Sequence, residues 1–218
     1  PSSNDLRIDV VGKLWWWAVT YPGEGVTTAN EMYLPAGRPV EIVLNSDNVI
    51  HSFWVPELAG KQDAIPGQTN RLRFTPDVVG TYLARCAEFC GVQHAHMSLR
   101  VYVVSPGEYG RWLARRQIVS REPASDAAEA GQVALQREAC AGCHTIAGTT
   151  ATGVAGPDLT DIGARQALGA GVLLNNPQNL ERWIRNAPSV KPGVLMPSFL
   201  TLSDREVSDM VAYLESLK

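Results

Sequence analysis

The sequence predicts a mainly β domain of sandwich or barrel type, followed by a small all-α domain. Three observations predict it. Up to residue 104, short runs of β-branched and aromatic residues are separated by turn signals, with no helical pattern between them. From Ser105 onward the apolar period becomes that of helices. Residues 119–126 (VSREPASD) are polar, small and proline-containing, the composition of a linker. The expected division is a first domain over 1–118, a linker over 119–126 and a second domain over 127–218.

Each element carries its own signal. Glu41–Leu44, Arg71–Phe74 and Leu99–Val104 read as strands, with Pro-Gly, Ser-Asp-Asn and Pro-Asp turns between them. Strands at this spacing suggest an antiparallel sandwich or barrel. Ser105-Pro106-Gly107-Glu108 has capping-box spacing with proline at the first helical position. Tyr109, Trp112 and Leu113 then form one face of a short helix that closes the sheet domain. After the linker, 127–139 is rich in Ala, Gln and Glu, and Leu180, Trp183 and Ile184 share a helical face. Ser203-Asp204-Arg205-Glu206 is a second capping box, followed by Val207, Met210, Val211 and Leu214 at i, i+3, i+4 and i+7.

Composition narrows the function. Hydrophobic residues make up 45% of the 218 and charged residues 19%, which suits buried cores and not a disordered chain. The formal net charge is −3, and residues 1–110 carry all of it, with 8 Lys/Arg against 11 Asp/Glu. A nucleic-acid binder would show a basic excess instead. Four arginines (Arg111, Arg115, Arg116 and Arg121) crowd at the junction of the two halves. The longest apolar run, Leu14–Val19, is far short of the ~20 residues of a membrane helix. The chain opens at Pro1 without a signal peptide, as a processed product or an excised fragment would. Its four cysteines form two close pairs, Cys86 with Cys90 and Cys140 with Cys143, which points to metal or cofactor chemistry more than to disulfide stapling.

Residues 86–97 read CAEFCGVQHAHM: two thiols, two imidazoles and a thioether just before a strand. Thiolate and thioether beside imidazole favour copper, with zinc the main rival. A mononuclear blue-copper site takes Cys, His and a weak Met from one loop and a second His from an earlier strand. This loop has that arrangement plus one more cysteine, and His51 supplies the distant imidazole. Two thiolates on one loop can each bridge two copper ions, so that an added electron is shared and bond lengths change little. A Cys86–Cys90 disulfide, or a zinc site with His94, is the alternative. His96 alternates away from its neighbours and reads as a surface or supporting histidine. The run Trp15–Trp17 is by default core, and strand alternation puts Trp15 and Trp17 on one face and Trp16 on the other, so at least one is expected to be exposed or interfacial.

These segments closely resemble the binuclear copper domain of subunit II of cytochrome c oxidase. GKLWWWAVTYP (12–22), HSFWVPELAGKQDAIPG (51–67) and CAEFCGVQHAHM occur in the family's order, and the likeness covers about residues 8–117. The resemblance implies a cupredoxin-like Greek-key β-barrel or sandwich holding two copper ions. Cys86 and Cys90 would bridge them, His51 and His94 would be the terminal imidazoles, and Met97 the axial thioether. Glu88 would coordinate through its backbone carbonyl, and its side chain would reach a magnesium completed only in the full complex. Trp15 matches the family's tryptophan at which electrons enter, and is thereby nominated as the exposed or interfacial ring.

Cys140-Ala141-Gly142-Cys143-His144 is the C-x-x-C-H signature of covalent haem c attachment. Two cysteines three apart can both reach the haem vinyl groups, while the adjacent histidine turns its imidazole to the iron. Met196, in PGVLMPSF before the last capped helix, is the candidate second axial ligand; Met/His ligation raises the reduction potential. A redox or zinc dithiol, with Met196 as plain core, is the alternative. Residues 127–218 resemble a small class I cytochrome c, with CAGCHTIAG, then GPDL (156–159), the methionine loop and a C-terminal helix. That resemblance makes Cys140 and Cys143 the attachment points and His144 and Met196 axial. It also puts Pro157 beside His144 and makes Gly131 and Tyr213 mark a helix crossing. Leu135 stands where the family usually has an aromatic residue.

The combination resembles haem-copper oxidases whose subunit II carries its own cytochrome c. It implies a periplasmic or extracytoplasmic electron-transfer subunit of a proton-pumping cytochrome c oxidase, anchored by membrane helices that precede this chain. Electrons would come from a donor (cytochrome c, another soluble carrier or an upstream respiratory complex) and go to haem a of subunit I, where dioxygen is reduced. A copper-containing nitric oxide reductase and a copper-delivery or sensing module are the competing readings; a nitrous oxide reductase would need a propeller domain that is absent.

Overall fold

The computed structural model describes residues 5–117, 122–138 and 140–218. They form two compact units, 1–117 and 118–218.

The first unit is built on ten strands and a helix: β1 (Leu6–Lys13), β2 (Trp16–Tyr21), β3 (Val26–Ala29), β4 (Glu31–Pro35), β5 (Val40–Ser46), β6 (His51–Trp54), β7 (Gln62–Ala64), β8 (Asn70–Phe74), β9 (Gly80–Cys86), β10 (Ser98–Val104) and α1 (Pro106–Arg116). One sheet has the order β3-β2-β1-β5-β8 and the other β4-β10-β9-β6-β7. Each contains one parallel pair, β1 with β5 and β4 with β10. This corrects the all-antiparallel expectation: local hairpin signals do not report which distant strand closes a sheet. The inward residues of both sheets share one core, in which Ile8, Val10, Trp17, Ile42 and Leu44 meet Phe53, Ala84, Leu99 and Val101.

Helix α1 starts as its residues dictate. Ser105 Oγ accepts from Glu108 N–H at 3.3 Å, and the Glu108 carboxylate accepts from Ser105 N–H at 3.0 Å. Its apolar face is buried: the Trp112 ring stacks on Tyr33 at 4.7 Å and meets Tyr21 edge-on at 5.2 Å. The helix therefore packs on Tyr21 of β2 and Tyr33 of β4 and joins the core of the unit.

The second unit holds α2 (Asp126–Arg137), β11 (Ala167–Leu168), β12 (Leu173–Leu174), α3 (Pro177–Val190) and α4 (Asp204–Ser216). Residues 119–121 of the expected linker lie outside the described residues; 122–125 are non-helical and Asp126 already opens α2 behind the N-cap Ser125. Helices α2 and α4 cross at Gly131, where a Cβ would collide with the Asp209 carbonyl. Gln132 Nε2 donates to the Tyr213 hydroxyl at 3.3 Å beside that crossing. Leu135 is buried in the unit's core, so an aliphatic side chain serves there. Helix α3 is broken at Asn186, which leaves helical dihedrals two residues before Pro188. Asn186 Oδ1 then accepts from Ser198 Oγ at 2.8 Å, and Phe199 N–H donates to Arg185 O at 2.9 Å, which pins the loop carrying Met196.

Among the described residues no helix is long and apolar enough to cross a membrane.

Candidate metal centres

In the first unit β6 delivers His51, the end of β9 delivers Cys86, and the turn into β10 delivers Glu88, Cys90, His94 and Met97. The turn is held by its own backbone. Cys86 N–H donates to Met97 O at 3.2 Å, Ala87 N–H to Ser52 O at 2.9 Å and His94 N–H to Gly91 O at 3.0 Å. The first closes the two ends of the loop on each other, the second ties its start to β6, and the third is internal to the loop.

The side-chain donors form a chain. His51 Nδ1 lies 3.8 Å from Cys86 Sγ, the two sulfurs are 3.7 Å apart, and Cys90 Sγ is 3.7 Å from His94 Nδ1. Met97 Sδ is 4.0 Å from Cys90 Sγ, and the Glu88 carbonyl oxygen is 3.2 Å from Cys86 Sγ. A separation of 3.7 Å is well beyond a disulfide bond of ~2.05 Å, which removes that alternative. His51, Cys86 and Cys90 form the one group of three such ligands among the described residues, within 4.8 Å of one another. All three are buried, as is Met97, while His94 is half-buried and Glu88 turns its side chain outward. Each sulfur thus has its own imidazole, with a carbonyl on one side and a thioether on the other.

The neighbouring Cys90 thiol holds the Cys86 thiol well below the ordinary thiol range, against burial, with His51 and backbone contacts at Ser52 and Glu88 acting in the same sense as Cys90. A thiolate is the form that binds metal. This soft, largely buried donor set fits copper better than calcium or magnesium.

The tryptophans correct an expectation. Trp15 is not the exposed ring: it is 8% exposed, and its indole N–H donates to Cys90 O at 2.8 Å. Trp16 is the half-buried one, with Lys13 Nζ 5.4 Å from its ring centroid. Trp15 is drawn in because Gly91, at φ +113°, brings the loop backbone against its ring. His96 is exposed and pairs with Gln93 Oε1 at 2.8 Å, as a supporting histidine would.

In the second unit a 3-10 turn at Cys140–Gly142 follows α2 and sets Cys140, Cys143 and His144 on one turn. Cys143 N–H and His144 N–H both donate to Cys140 O, at 3.1 and 3.0 Å. Cys143 is exposed and Cys140 half-buried; burial raises the Cys140 thiol above its ordinary value. His144 Nδ1 donates to Pro157 O at 2.7 Å, which leaves Nε2 as the ring's electron-pair donor. Burial also lowers the His144 pKa, against the pull of Pro157, and so favours the neutral ligating form. A Cβ at Gly156 would stand 2.5 Å from His144 Cε1, so only glycine admits the ring there. Val154, Leu174, Leu195 and Leu200 are exposed apolar side chains of this unit, material suited to a porphyrin face. Met196 is half-buried on the separate loop between α3 and α4. An oriented imidazole beside two cysteines at this spacing fits haem c.

Sequence reasoning missed Asn48, whose Oδ1 lies 3.0 Å from His51 Nε2, and Gly12, where a Cβ would stand 2.6 Å from His51 Cδ2. Glycine in the interior of a strand was the available signal for the second, since it marks close approach by another group.

Fold and sites together define a cupredoxin-like domain with a thiol-imidazole cluster, followed along the chain by a helical domain whose C-x-x-C-H segment forms a turn. Residues 24–104 match the family of the cytochrome c oxidase subunit II periplasmic domain, and residues 128–218 match the cytochrome c family. Cytochrome c oxidase subunit 2 of Alkalihalophilus pseudofirmus is 38% identical over 215 residues, covering 99% of this chain and 62% of that protein. The Bacillus subtilis subunit 2 is 30% identical over 227 residues, covering 100% and 64%. The periplasmic domain of subunit II (CoxB) of Bradyrhizobium japonicum is a structural match at TM-score 0.51 and 29% identity, over 53% of this chain and 95% of that one. Over nearly its whole length the chain is similar to cytochrome c oxidase subunit II in a form with a cytochrome c domain, and it spans just under two thirds of the length of these curated relatives.

Proposed function

We propose that this chain is the electron-transfer part of subunit II of a haem-copper oxidase, at the extracytoplasmic face of the membrane. When bound, two copper ions in the first unit and a haem c in the second would supply one-electron redox chemistry between an electron donor and haem a of subunit I. Dioxygen reduction and proton pumping belong to the assembled oxidase, which further segments of the protein would anchor in the membrane.

The observation that carries this reading is the chain of donors from His51 through Cys86 and Cys90 to His94. Two sulfurs, each beside a different imidazole, suit two ions sharing both thiolates better than one ion. Cys86 and Cys90 would hold both ions as bridging thiolates, with His51 and His94 as terminal imidazoles, Met97 as the axial thioether and the Glu88 backbone carbonyl as a further donor. The Glu88 carboxylate, exposed here, would contribute to a magnesium site only in the full complex. Trp15, bonded through its N–H to Cys90 O, is assigned as the ring through which electrons enter. Cys140 and Cys143 would hold haem c, with His144 and Met196 axial. The domains are assigned as 1–118 and 127–218, with 119–126 between them. Tethering on one chain would make exchange between the two centres intramolecular, at high effective concentration.

The test is metal analysis and spectroscopy of the holoprotein. Two coppers and one covalent haem per chain, with an EPR signal from an electron shared by two copper nuclei, support the reading. A single copper or zinc in the first unit, or no haem crosslinked to the second, overturns it. Electron delivery to a purified subunit I then distinguishes dioxygen reduction from nitric oxide reduction.

A further inference from the structure

The two imidazoles that flank the thiol pair sit in different surroundings. His94 is half-buried against the Phe89 ring, with centroids 5.8 Å apart. His51 is fully buried and enclosed on three sides. Trp17 meets its ring edge-on at 5.8 Å, Gly12 leaves room for the ring and for no more, and Asn48 Oδ1 faces Nε2 at 3.0 Å.

The orientation of the Asn48 amide is settled by a second donor. Val49 N–H donates to the same Oδ1 at 3.0 Å, so the oxygen and not the nitrogen faces the imidazole. The turn is fixed in turn by Ser46, whose Oγ accepts from Asn48 N–H at 3.3 Å and donates to Val49 O at 2.5 Å. An oxygen beside Nε2 can only accept. His51 Nε2 therefore carries the proton, and Nδ1, 3.8 Å from Cys86 Sγ, carries the electron pair.

We propose that Asn48 is a positioning residue: it selects Nδ1 as the ligating nitrogen of His51 and sets how strongly that imidazole donates to copper. This rests on the reading of His51 as a ligand. Outer partners of ligating histidines fix ring orientation and raise ligand basicity, and a charged acceptor does so more than a neutral one. A carboxamide at this position makes His51 a moderate donor, which favours the reduced form of the centre relative to a carboxylate.

The test uses three variants of the whole chain. In metal-free wild type at pH 8, nitrogen-15 spectra of the imidazoles show His51 protonated at Nε2, with slow solvent exchange of that proton. Asn48→Ala loses the protection, and copper retention against a chelator falls about tenfold. Asn48→Asp restores the protected proton and lowers the reduction potential by about 59 mV, a tenfold shift of a one-electron equilibrium. Wild-type exchange and retention in Asn48→Ala, or an unchanged potential in Asn48→Asp, would overturn the proposal while leaving the copper reading intact. If His51→Ala kept the centre's absorption and EPR signals unchanged, His51 would not be a ligand, and both would fall.

Discussion

The residues assigned to copper come from two strands and a loop, with His51 at least 35 positions from the others, and are mostly buried, whereas three of the four assigned to haem come from one pentapeptide. In the first unit the sheet supplies the geometry: β6 and β9 must pair before His51 and Cys86 meet. In the second, a single 3-10 turn sets both cysteines and the histidine, and the wider fold adds only the orienting Pro157 carbonyl and the methionine loop. A binding site whose donors are non-local inherits the rigidity and the fragility of the whole core. A local one survives until its turn melts.

Substitutions at close approaches break this comparison most sharply. Gly131→Val drives a side chain into the Asp209 backbone, where the neighbouring helix cannot yield as a flexible side chain would. It should destabilise the second unit by about 3 kcal/mol, seen in thermal unfolding followed at that unit, while copper binding in the first unit persists. Gly12→Val pushes on the His51 ring. The expected loss is about 1–3 kcal/mol in the first unit and about 10–100-fold in copper retention, with haem attachment unaltered. Loss of haem attachment in this variant would mean that the two units do not fold independently.

The methionines sharpen the contrast without unfolding anything. Met97→Leu should keep both coppers and shift the potential of that centre, since axial ligands tune such sites more than they build them. Met196→Leu should keep the haem covalently attached and lower its potential by about 0.1 V or more, within the ~0.8 V that axial ligands command. Redox titration of each variant checks both, and an unchanged haem potential would remove Met196 from the iron.

Acid acts more gently, and through different partners in each unit. The Arg73 guanidinium, opposed by burial and helped by Arg71, holds the Glu41 carboxyl below its ordinary range. Arg73 Nε and Arg71 Nη1 each lie 2.8 Å from that carboxylate. A depressed carboxyl contributes stability that is present above its unfolded value near ~4.3 and is lost as the pH falls through its folded value. Glu41→Gln should cost about 1 kcal/mol at pH 7 and flatten the acid arm of the first unit's stability curve. In the second unit Glu206 is held at about 2 by Ser203 and then Arg137. Glu206→Gln should flatten that unit's acid arm in the same sense. Unfolding midpoints between pH 2 and 7 check both.

Legibility followed the same division. Both capping boxes were readable because Ser and Glu three apart satisfy each other's backbone partners wherever they occur, and both are formed. The strands containing Glu41–Leu44, Arg71–Phe74 and Leu99–Val104 were readable from side-chain type. The break in α3 at Asn186 was not read, although Pro188 announces it. Trp15 was misplaced for a physical reason. Strand alternation predicts which rings share a face, but the loop that covers one of them is 75 residues away. Asn48 was recognised only as part of a turn, because its acceptor role exists only once the chain has folded back to put Oδ1 beside the His51 imidazole.

By itself the sequence determined which atoms could bind metal, where two of the helices begin and that a β-rich and a helical region share the chain, because thiols, caps and periodicity act over a few residues. Only the tertiary structure decided which strands run parallel, which tryptophan is covered and which nitrogen of His51 faces the sulfurs. Those depend on contacts between segments that are distant along the backbone, and no spacing encodes the direction from which a neighbour arrives.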